Sequence, residues 1–157
     1  MSRSIAALAG FVLLCVVGGA ASGLATPPGD WYASIAKPPW TPPAWLFGPV
    51  WTLLYLMMGV AAWLLWLRRS EAAGRRALWL FVAQLALNFA WTPAFFGLRS
   101  PGLALAIIVA LAVAIVATIA AAWRVRRAAA ELLVPYLAWV SFATALNLSI
   151  WRLNQVP

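Results

Sequence analysis

Long apolar runs separated by short polar gaps dominate the sequence. Five runs reach the roughly 20 residues that a helix needs to cross the hydrocarbon of a bilayer. They cover residues 5–25, 45–67, 77–97, 103–123 and 132–152. The first run also resembles a signal sequence, but it is long for one, and we interpret it as a retained helix. The pattern predicts an all-α integral membrane protein, with residues 1–157 forming a single domain that is a bundle of five transmembrane helices.

Basic residues lie in the gaps between these runs. With five spans, the N-terminus and the gaps 68–76 and 124–131 share one side and carry eight basic residues, against three on the other side, Lys37, Arg99 and Arg152. The positive-inside rule then predicts a cytoplasmic N-terminus if the protein lies in an inner membrane. A single Lys against ten Arg is typical of a GC-rich bacterial genome, so we expect a location in a bacterial envelope.

Composition excludes several classes of protein. The chain is 66% hydrophobic and 9% charged, whereas a soluble domain carries about 25% charged residues. The net charge of +8 does not indicate nucleic-acid binding, because the Arg residues are confined to the gaps, as in the loops of a membrane protein. With no His and a single Cys, the chain cannot form an internal disulfide, and a zinc site is close to excluded. We expect no metal and no cofactor.

The stretch "WYASIAKPPWTPPAWLFGPVW", residues 31–51, follows the first run and is dense in Pro and Trp. Its two Pro-Pro pairs fix φ and remove backbone donors, which predicts a long, stiff Pro/Trp-rich loop between the first and second helices. The Trp side chains alone would also fit a belt at the membrane interface. The belt explains the Pro pairs poorly, so we interpret residues 32–43 as a lid over an opening.

Three of the runs carry stripes of polar and aromatic residues at helical spacing. Polar groups inside a bilayer are costly and normally face the protein interior or a cavity. Each amide taken alone is also explained by hydrogen bonds between helices. Three aligned stripes favour a shared cavity. The stripes are Trp51, Tyr55 and Met58; Gln84, Asn88, Trp91 and Phe95; and Tyr136, Trp139, Ala143 and Asn147.

Such a cavity would be aromatic, with a few amides and no ionisable pair. Without His, the chain has no nucleophile–His pair, and no carboxylate lies in the middle of a span to relay protons. Stacking on Trp and Tyr, with a few hydrogen bonds for orientation, suits flat and largely apolar molecules. A separate face of small residues in the third run, Ala86, Ala90 and Ala94, would suit a homodimer contact.

Four segments make the chain similar to the TspO/MBR family, the tryptophan-rich sensory proteins and translocator proteins (peripheral benzodiazepine receptors). They are "WYASIAKPPWTPP", "PVWTLLY", "LNFAWTPAFFG" and "PYLAWVSFATALNLSIWRLN". The resemblance implies a five-helix bundle, often dimeric, with a pocket under the first loop that takes porphyrins such as protoporphyrin IX, sterols and benzodiazepine-type compounds. The pocket residues that it implies are Tyr32, Pro43, Trp51, Tyr55, Asn88, Trp91, Trp139, Ala143 and Asn147.

The sterol motif of the mitochondrial members is incomplete in this chain. Leu148 stands where that motif has Tyr, although Arg152 is present. Porphyrin is therefore the expected ligand, and sterol binding is in doubt.

Three functions fit the resemblance. The expected one is a binding protein or transporter that moves, buffers or senses a tetrapyrrole. The alternative is an enzyme-like breakdown of porphyrin that depends on light and oxygen, for which Trp51 and Trp139 are the candidates. The third is a structural protein whose Trp residues serve only lipid packing.

Overall fold

The computed structural model describes residues 3–155, and within this range it contains helices and connections but no strand. In this described part of the chain, five helices are long and apolar enough to cross a membrane. The predicted set of five spans is therefore confirmed. The helices are α1 (Arg3–Ala25), the short α2 (Gly29–Ser34), α3 (Ala44–Trp66), α4 (Ala72–Thr92) with a π-helical turn at Pro93–Gly97, α5 (Pro101–Val125) and α6 (Arg127–Leu153).

All five spanning helices begin before their apolar runs, and two of them begin well before. α4 begins at Ala72 and α6 at Arg127, each five residues before the start predicted from hydropathy. The added segments, AAGRR and RAAAE, are rich in Ala, Arg and Glu, which are strong helix formers but are not apolar enough to count as hydrocarbon span. The helices therefore extend past the apolar runs at the arginine-rich end of the bundle.

The connection between α1 and α3 is not a loop throughout. It covers residues 26–43 and contains α2, whose sequence GDWYAS lacks Pro and so can form a helical turn and a half before the Pro pairs begin. α3 begins immediately after Pro43. The last eight residues of the stretch 31–51 are therefore helix, and the part without helix is shorter than we predicted.

Pro93 turns the end of α4 into a π-helical segment. Proline has no N–H to donate to the carbonyl of Phe89 one turn earlier. The Ser22 hydroxyl of α1 donates to that carbonyl oxygen instead, at 2.9 Å. The π-turn closes with a hydrogen bond from the Leu98 amide to the Pro93 oxygen at 2.8 Å. The deviation from α-helix is thus paired with a compensating contact from a neighbouring helix.

Small residues bring α1 close to α3 and α4. A Cβ on Gly59 of α3 would lie 2.6 Å from the Val12 Cα of α1, and a Cβ on Gly18 would overlap the Phe89 ring. Cys15 is the buried residue of α1, so this helix packs on one side of the bundle. The other long helices surround a core that includes Met58, Phe81, Leu111, Ile115 and Leu133.

The predicted face of small residues in the third run is only partly exposed in the structure. Ala86 and Ala90 are exposed on α4, whereas Ala94 is buried in the π-turn, 4% exposed. Trp79, 72% exposed, lies on α4 as well. The exposed part of the face therefore does not include Ala94.

Gly59 tests the close packing of α1 on α3. We expect Gly59→Ala to lower the free energy of unfolding by about 1–3 kcal/mol, because the new methyl group overlaps the backbone of Val12. Gly10→Ala in α1 is the matched control, since its Cβ would meet nothing within 4 Å. Thermal unfolding in detergent gives the comparison, and equal midpoints for the two variants would contradict the packing.

Candidate functional site

A cavity of about 680 Å³ lies at the α2 end of the bundle, beneath the connection 26–43. Its walls come from α1, α3, the end of α4 with the π-turn, and α6; α5 does not contribute. The volume is in the range of pockets that hold drug-sized ligands. The aromatic lining residues are Tyr32, Phe47, Trp51, Tyr55, Trp91, Phe95, Phe96 and Trp139.

Seven of the nine residues predicted for the site line this cavity. They are Tyr32, Trp51, Tyr55, Trp91, Trp139, Ala143 and Asn147. Pro43 does not line it, although its neighbours Pro42 and Ala44 do, because Pro43 ends the connection and caps α3. Asn88 does not line it either. It is 4% exposed, and its Oδ1 accepts a hydrogen bond from Tyr55, which does line the cavity.

Stacked aromatic pairs form two of the cavity walls. Trp51 and Tyr55 lie one turn apart on α3, with ring centroids 5.4 Å apart and an interplanar angle of 27°. Trp91 and Phe95 form a similar pair at the end of α4, at 5.3 Å and 30°. Trp139 of α6 meets Phe47 edge to face at 5.8 Å. The cavity thus presents flat π-surfaces on three helices.

A chain of side-chain hydrogen bonds runs from the cavity wall into the core. The Tyr55 hydroxyl donates to Asn88 Oδ1 at 2.8 Å, and Asn88 Nδ2 donates to the Tyr136 hydroxyl oxygen at 3.0 Å. The Tyr136 hydroxyl in turn donates to Gln84 Oε1 at 2.9 Å. These bonds join α3, α4 and α6. Gln84 and Asn88 therefore form hydrogen bonds between helices, which was the alternative to cavity lining for each amide.

Asn147 makes a second link between helices, directly at the cavity. Its Oδ1 accepts a hydrogen bond from Trp91 Nε1 at 3.0 Å, and its Nδ2 donates to the Pro101 carbonyl oxygen at the start of α5, at 2.8 Å. The indole of Trp91 is therefore held in one orientation by a buried partner. Asn147 positions an aromatic wall as well as lining the cavity.

The connection 26–43, which contains α2, forms the roof of the cavity. Lys37 caps α2 within this roof. Its ammonium group donates to the carbonyl oxygens of Tyr32 and Ile35 and lies 4.7 Å from the centre of the Tyr32 ring. A cation at the C-terminal end of a helix satisfies its free carbonyls. Burial raises the pKa of the Tyr32 hydroxyl above its ordinary value.

Asn154, just after α6, fastens the roof to the other end of the chain. The Ala36 amide donates to Asn154 Oδ1 at 3.0 Å, and Asn154 Nδ2 donates to the Ala36 oxygen at 2.9 Å. The paired bonds join residues 118 positions apart in sequence. The connection 26–43 is therefore clamped to α6 in addition to its covalent links with α1 and α3.

The cavity carries little charge. Among the described residues that line it, Lys37 is the charged one. Glu71 and Glu131 form exposed ion pairs with Arg68 and Arg127 at the opposite end of the bundle. Within residues 3–155, no three His, Cys, Asp or Glu side chains come together to hold a metal ion. The chemistry available in the cavity is therefore stacking, apolar contact and a few hydrogen bonds.

Several lining residues were absent from the predicted site. Phe47 precedes Trp51 by one turn and extends the same stripe, so helical spacing was a sufficient signal for it. Phe96 enters because the π-turn changes the spacing at the end of α4. The α1 contribution, which includes Gly19, Ala20 and Gly23, carries no polar or aromatic signal and could not have been recognised from side-chain chemistry.

These features describe an integral membrane protein with an aromatic cavity near one membrane face. The model of the TspO/MBR family matches residues 11–152, and the chain belongs to that family. It is 46% identical to the tryptophan-rich protein TspO of Chlorobaculum tepidum, over 98% of this chain and 99% of that protein. It is 45% identical to the human translocator protein, over 80% of this chain and 75% of that protein.

A further relative is the tryptophan-rich sensory protein of Cereibacter sphaeroides, 40% identical over 86% of this chain and 84% of that protein. The names translocator and sensory protein support a membrane transport or sensing role in the family.

Tyr136 tests the buried chain of hydrogen bonds. We expect Tyr136→Phe to lower the free energy of unfolding by about 1–3 kcal/mol, because the Asn88 amide and the Gln84 oxygen lose their shared partner inside the bundle. Ser141→Ala on the same helix is the control, since this exposed hydroxyl bonds only to the Leu137 oxygen of its own helix. Thermal unfolding in detergent measures the stability of both variants. A Tyr136→Phe protein as stable as the control would show that these buried hydrogen bonds do not stabilise the bundle.

Asn154 tests the roof clamp. We expect Asn154→Ala to speed hydrogen exchange at the Ala36 amide by roughly tenfold, because that amide loses its acceptor and the roof loses a pair of bonds. Ser149→Ala on α6, another exposed hydroxyl bonded within its own helix, is the control. Exchange is measured by mass spectrometry on the segment 29–37, and unchanged protection would argue against the clamp.

Proposed function

We propose that this protein binds protoporphyrin IX or a related tetrapyrrole in the cavity under α2 and transports, buffers or senses it within the membrane. The observation that carries the proposal is the pair of stacked walls, Trp51 on Tyr55 and Trp91 on Phe95, around a volume of about 680 Å³. A flat macrocycle gains most from such a cavity because its faces match the π-surfaces of the walls.

The polar groups of the cavity suit a ligand with a largely apolar body and a polar edge. Trp139 Nε1 is a buried donor without a hydrogen-bond partner among the described residues. Lys37 adds positive charge at the roof of the cavity. Its ammonium group already donates hydrogen bonds to carbonyl oxygens at the end of α2. We infer that the apolar ring lies against the Trp residues and the polar edge faces the roof.

The connection 26–43 would serve as the lid of this site. Tyr32 faces the cavity from α2, and Trp31 packs edge to face on Phe95 of the opposite wall at 5.8 Å. Pro38, which is buried, and the neighbouring Pro residues stiffen the remainder. Trp45, in contrast, is 72% exposed and fits the interfacial belt. The Pro/Trp-rich segment thus divides into a lid and an anchor.

Light- and oxygen-dependent breakdown of bound porphyrin is the second candidate function. It is favoured by the position of Trp51 and Trp139, which both line the cavity and would touch the ligand.

Illumination in air would distinguish this activity from binding alone: the porphyrin spectrum would decay faster with protein than without it, and Trp51→Phe or Trp139→Phe would abolish the difference. Equal decay with and without protein would eliminate the enzyme-like activity.

Other ligands and the cellular setting are part of the same proposal. Benzodiazepine-type compounds would fit the aromatic cavity, whereas sterol binding at the end of α6 is weakened by Leu148, which does not line the cavity. We also propose a homodimer through the exposed Ala86 and Ala90 face of α4. The surrounding partner is the lipid bilayer, in a bacterial envelope with the N-terminus in the cytoplasm.

Protoporphyrin IX binding is the direct test. Titration of the purified protein in detergent should give saturable changes in porphyrin absorption. We expect Trp51→Phe and Trp139→Phe each to weaken the Kd by about two- to tenfold, the equivalent of roughly 0.5–1.5 kcal/mol of stacking. Trp79→Phe is the control because Trp79 is exposed on α4, outside the cavity. The absence of saturable binding, or equal effects at all three Trp residues, would contradict the proposal.

A further inference from the structure

The exposed part of the cavity lining is confined to two helices and the start of the connection. Among the described residues that line the cavity, every one from α4, the π-turn and α6 is buried or half-buried. The exposed ones are Ala20, Gly23 and Leu24 of α1, Pro28 just after it, and Ala44, Gly48 and Thr52 of α3. The cavity therefore reaches the surface of the bundle between α1 and α3.

The glycines show where these two helices separate. A Cβ on Gly59 would overlap the Val12 backbone, and a Cβ on Gly19 would overlap the Tyr55 ring, so the helices touch at both levels. Nearer the α2 end the contact is lost. A Cβ on Gly23 of α1 or on Gly48 of α3 would meet no heavy atom within 4 Å. The two helices thus diverge above Tyr55 and leave a gap that leads into the cavity.

The gap lies in the part of the bundle that faces lipid. At 1.5 Å per residue, Gly48 lies about 6 Å and Thr52 about 12 Å along the helix axis from Ala44, the first residue of α3. The surroundings are apolar: Leu24 is 82% exposed and Leu53 is 59% exposed. The one hydroxyl in the gap, that of Thr52, donates to the Gly48 oxygen of its own helix at 2.9 Å. The gap therefore offers an apolar ligand an apolar path.

The roof offers a less favourable route. It is held by the Asn154 bonds to Ala36 and by the Lys37 cap on α2. Entry through the roof would require these bonds to break. It would also require an apolar ligand to leave the hydrocarbon and pass through water before it reaches the cavity. Passage between α1 and α3 leaves both the Asn154 bonds and the Lys37 cap intact.

We infer that the gap between α1 and α3 is a lateral portal through which the ligand enters the cavity from the bilayer. This inference rests on the proposed binding function. A lateral portal would admit flat, apolar molecules that are dissolved in the hydrocarbon of the bilayer rather than in water. It also gives Gly23 and Gly48 a role, because larger side chains at these positions would project into the opening.

Gly48→Leu and Gly23→Leu narrow the portal without displacing existing atoms at the Cβ position. The experiment measures association and dissociation of protoporphyrin IX with the full chain in lipid nanodiscs, by stopped-flow fluorescence. We expect both the association and the dissociation rate constant to fall by about tenfold or more. Gly10→Leu is the matched control: it lies on α1, is equally open at Cβ and does not line the cavity. Its rate constants should equal those of the unaltered protein.

The outcomes distinguish the portal from entry under the roof and from a change in the binding position itself. Unchanged rates in both narrowed variants would overturn the portal. So would slower association with unaltered dissociation, because the new side chain would then compete for the ligand position. Asn154→Ala tests the roof route, and faster exchange of ligand in that variant without slowing in Gly48→Leu would place entry under the roof. Failure of the unaltered protein to bind protoporphyrin IX would refute the proposed function instead, and is read out before any rates are compared.

Discussion

The demand that buried polar groups find partners inside a bilayer determines how the cavity is built. Hydrocarbon offers no hydrogen bonds, so an amide on the face of a spanning helix must bond to another helix or face a cavity. The bonds from Tyr55 through Asn88 and Tyr136 to Gln84 meet that demand and join three helices. Because Tyr55 is the first member of this chain and also a cavity residue, the floor of the cavity is fixed by the same bonds that hold the bundle together.

Proline places the irregular backbone where it is tolerated. Pro93 removes a donor near the end of α4, and the Ser22 hydroxyl supplies the missing partner to the Phe89 oxygen. The resulting π-turn brings Phe95 and Phe96 to the cavity. At the roof, the two Pro-Pro pairs within residues 38–43 follow α2 and lie outside the long helices, where their missing N–H groups leave no unpaired donor in lipid. Both departures from regular helix border the cavity.

Much of this arrangement could be predicted from sequence because two periodicities carry it. Hydropathy over about 20 residues identified the five spans, and the 3.6-residue repeat aligned Trp51 with Tyr55 and Trp139 with Ala143. These pairs line the cavity. The helical pattern could not distinguish a residue that lines a cavity from one buried beside it, and the family resemblance also placed Asn88 in the pocket. Both kinds of position lie on the interior face, and the hydrogen bonds of Asn88 with Tyr55 and Tyr136 depend on packing that the sequence does not reveal.

Other features depend on contacts that no local pattern encodes. The clamp between Asn154 and Ala36 joins distant parts of the chain, and Lys37 caps a helix too short to be recognised in a Pro-rich stretch. The α1 wall consists largely of Gly and Ala, whose contribution is the space they leave open.

The position of bound protoporphyrin IX would show whether the aromatic cavity is the binding site. A structure of the complex in lipid nanodiscs, by electron cryomicroscopy with a rigid fiducial or by crystallography, would locate the macrocycle. We expect its density between the walls formed by Trp51 and Trp91, beneath Tyr32. Density on the lipid-facing surface, beside Trp45 or Trp79 or at the arginine-rich end, with the cavity unchanged, would contradict it.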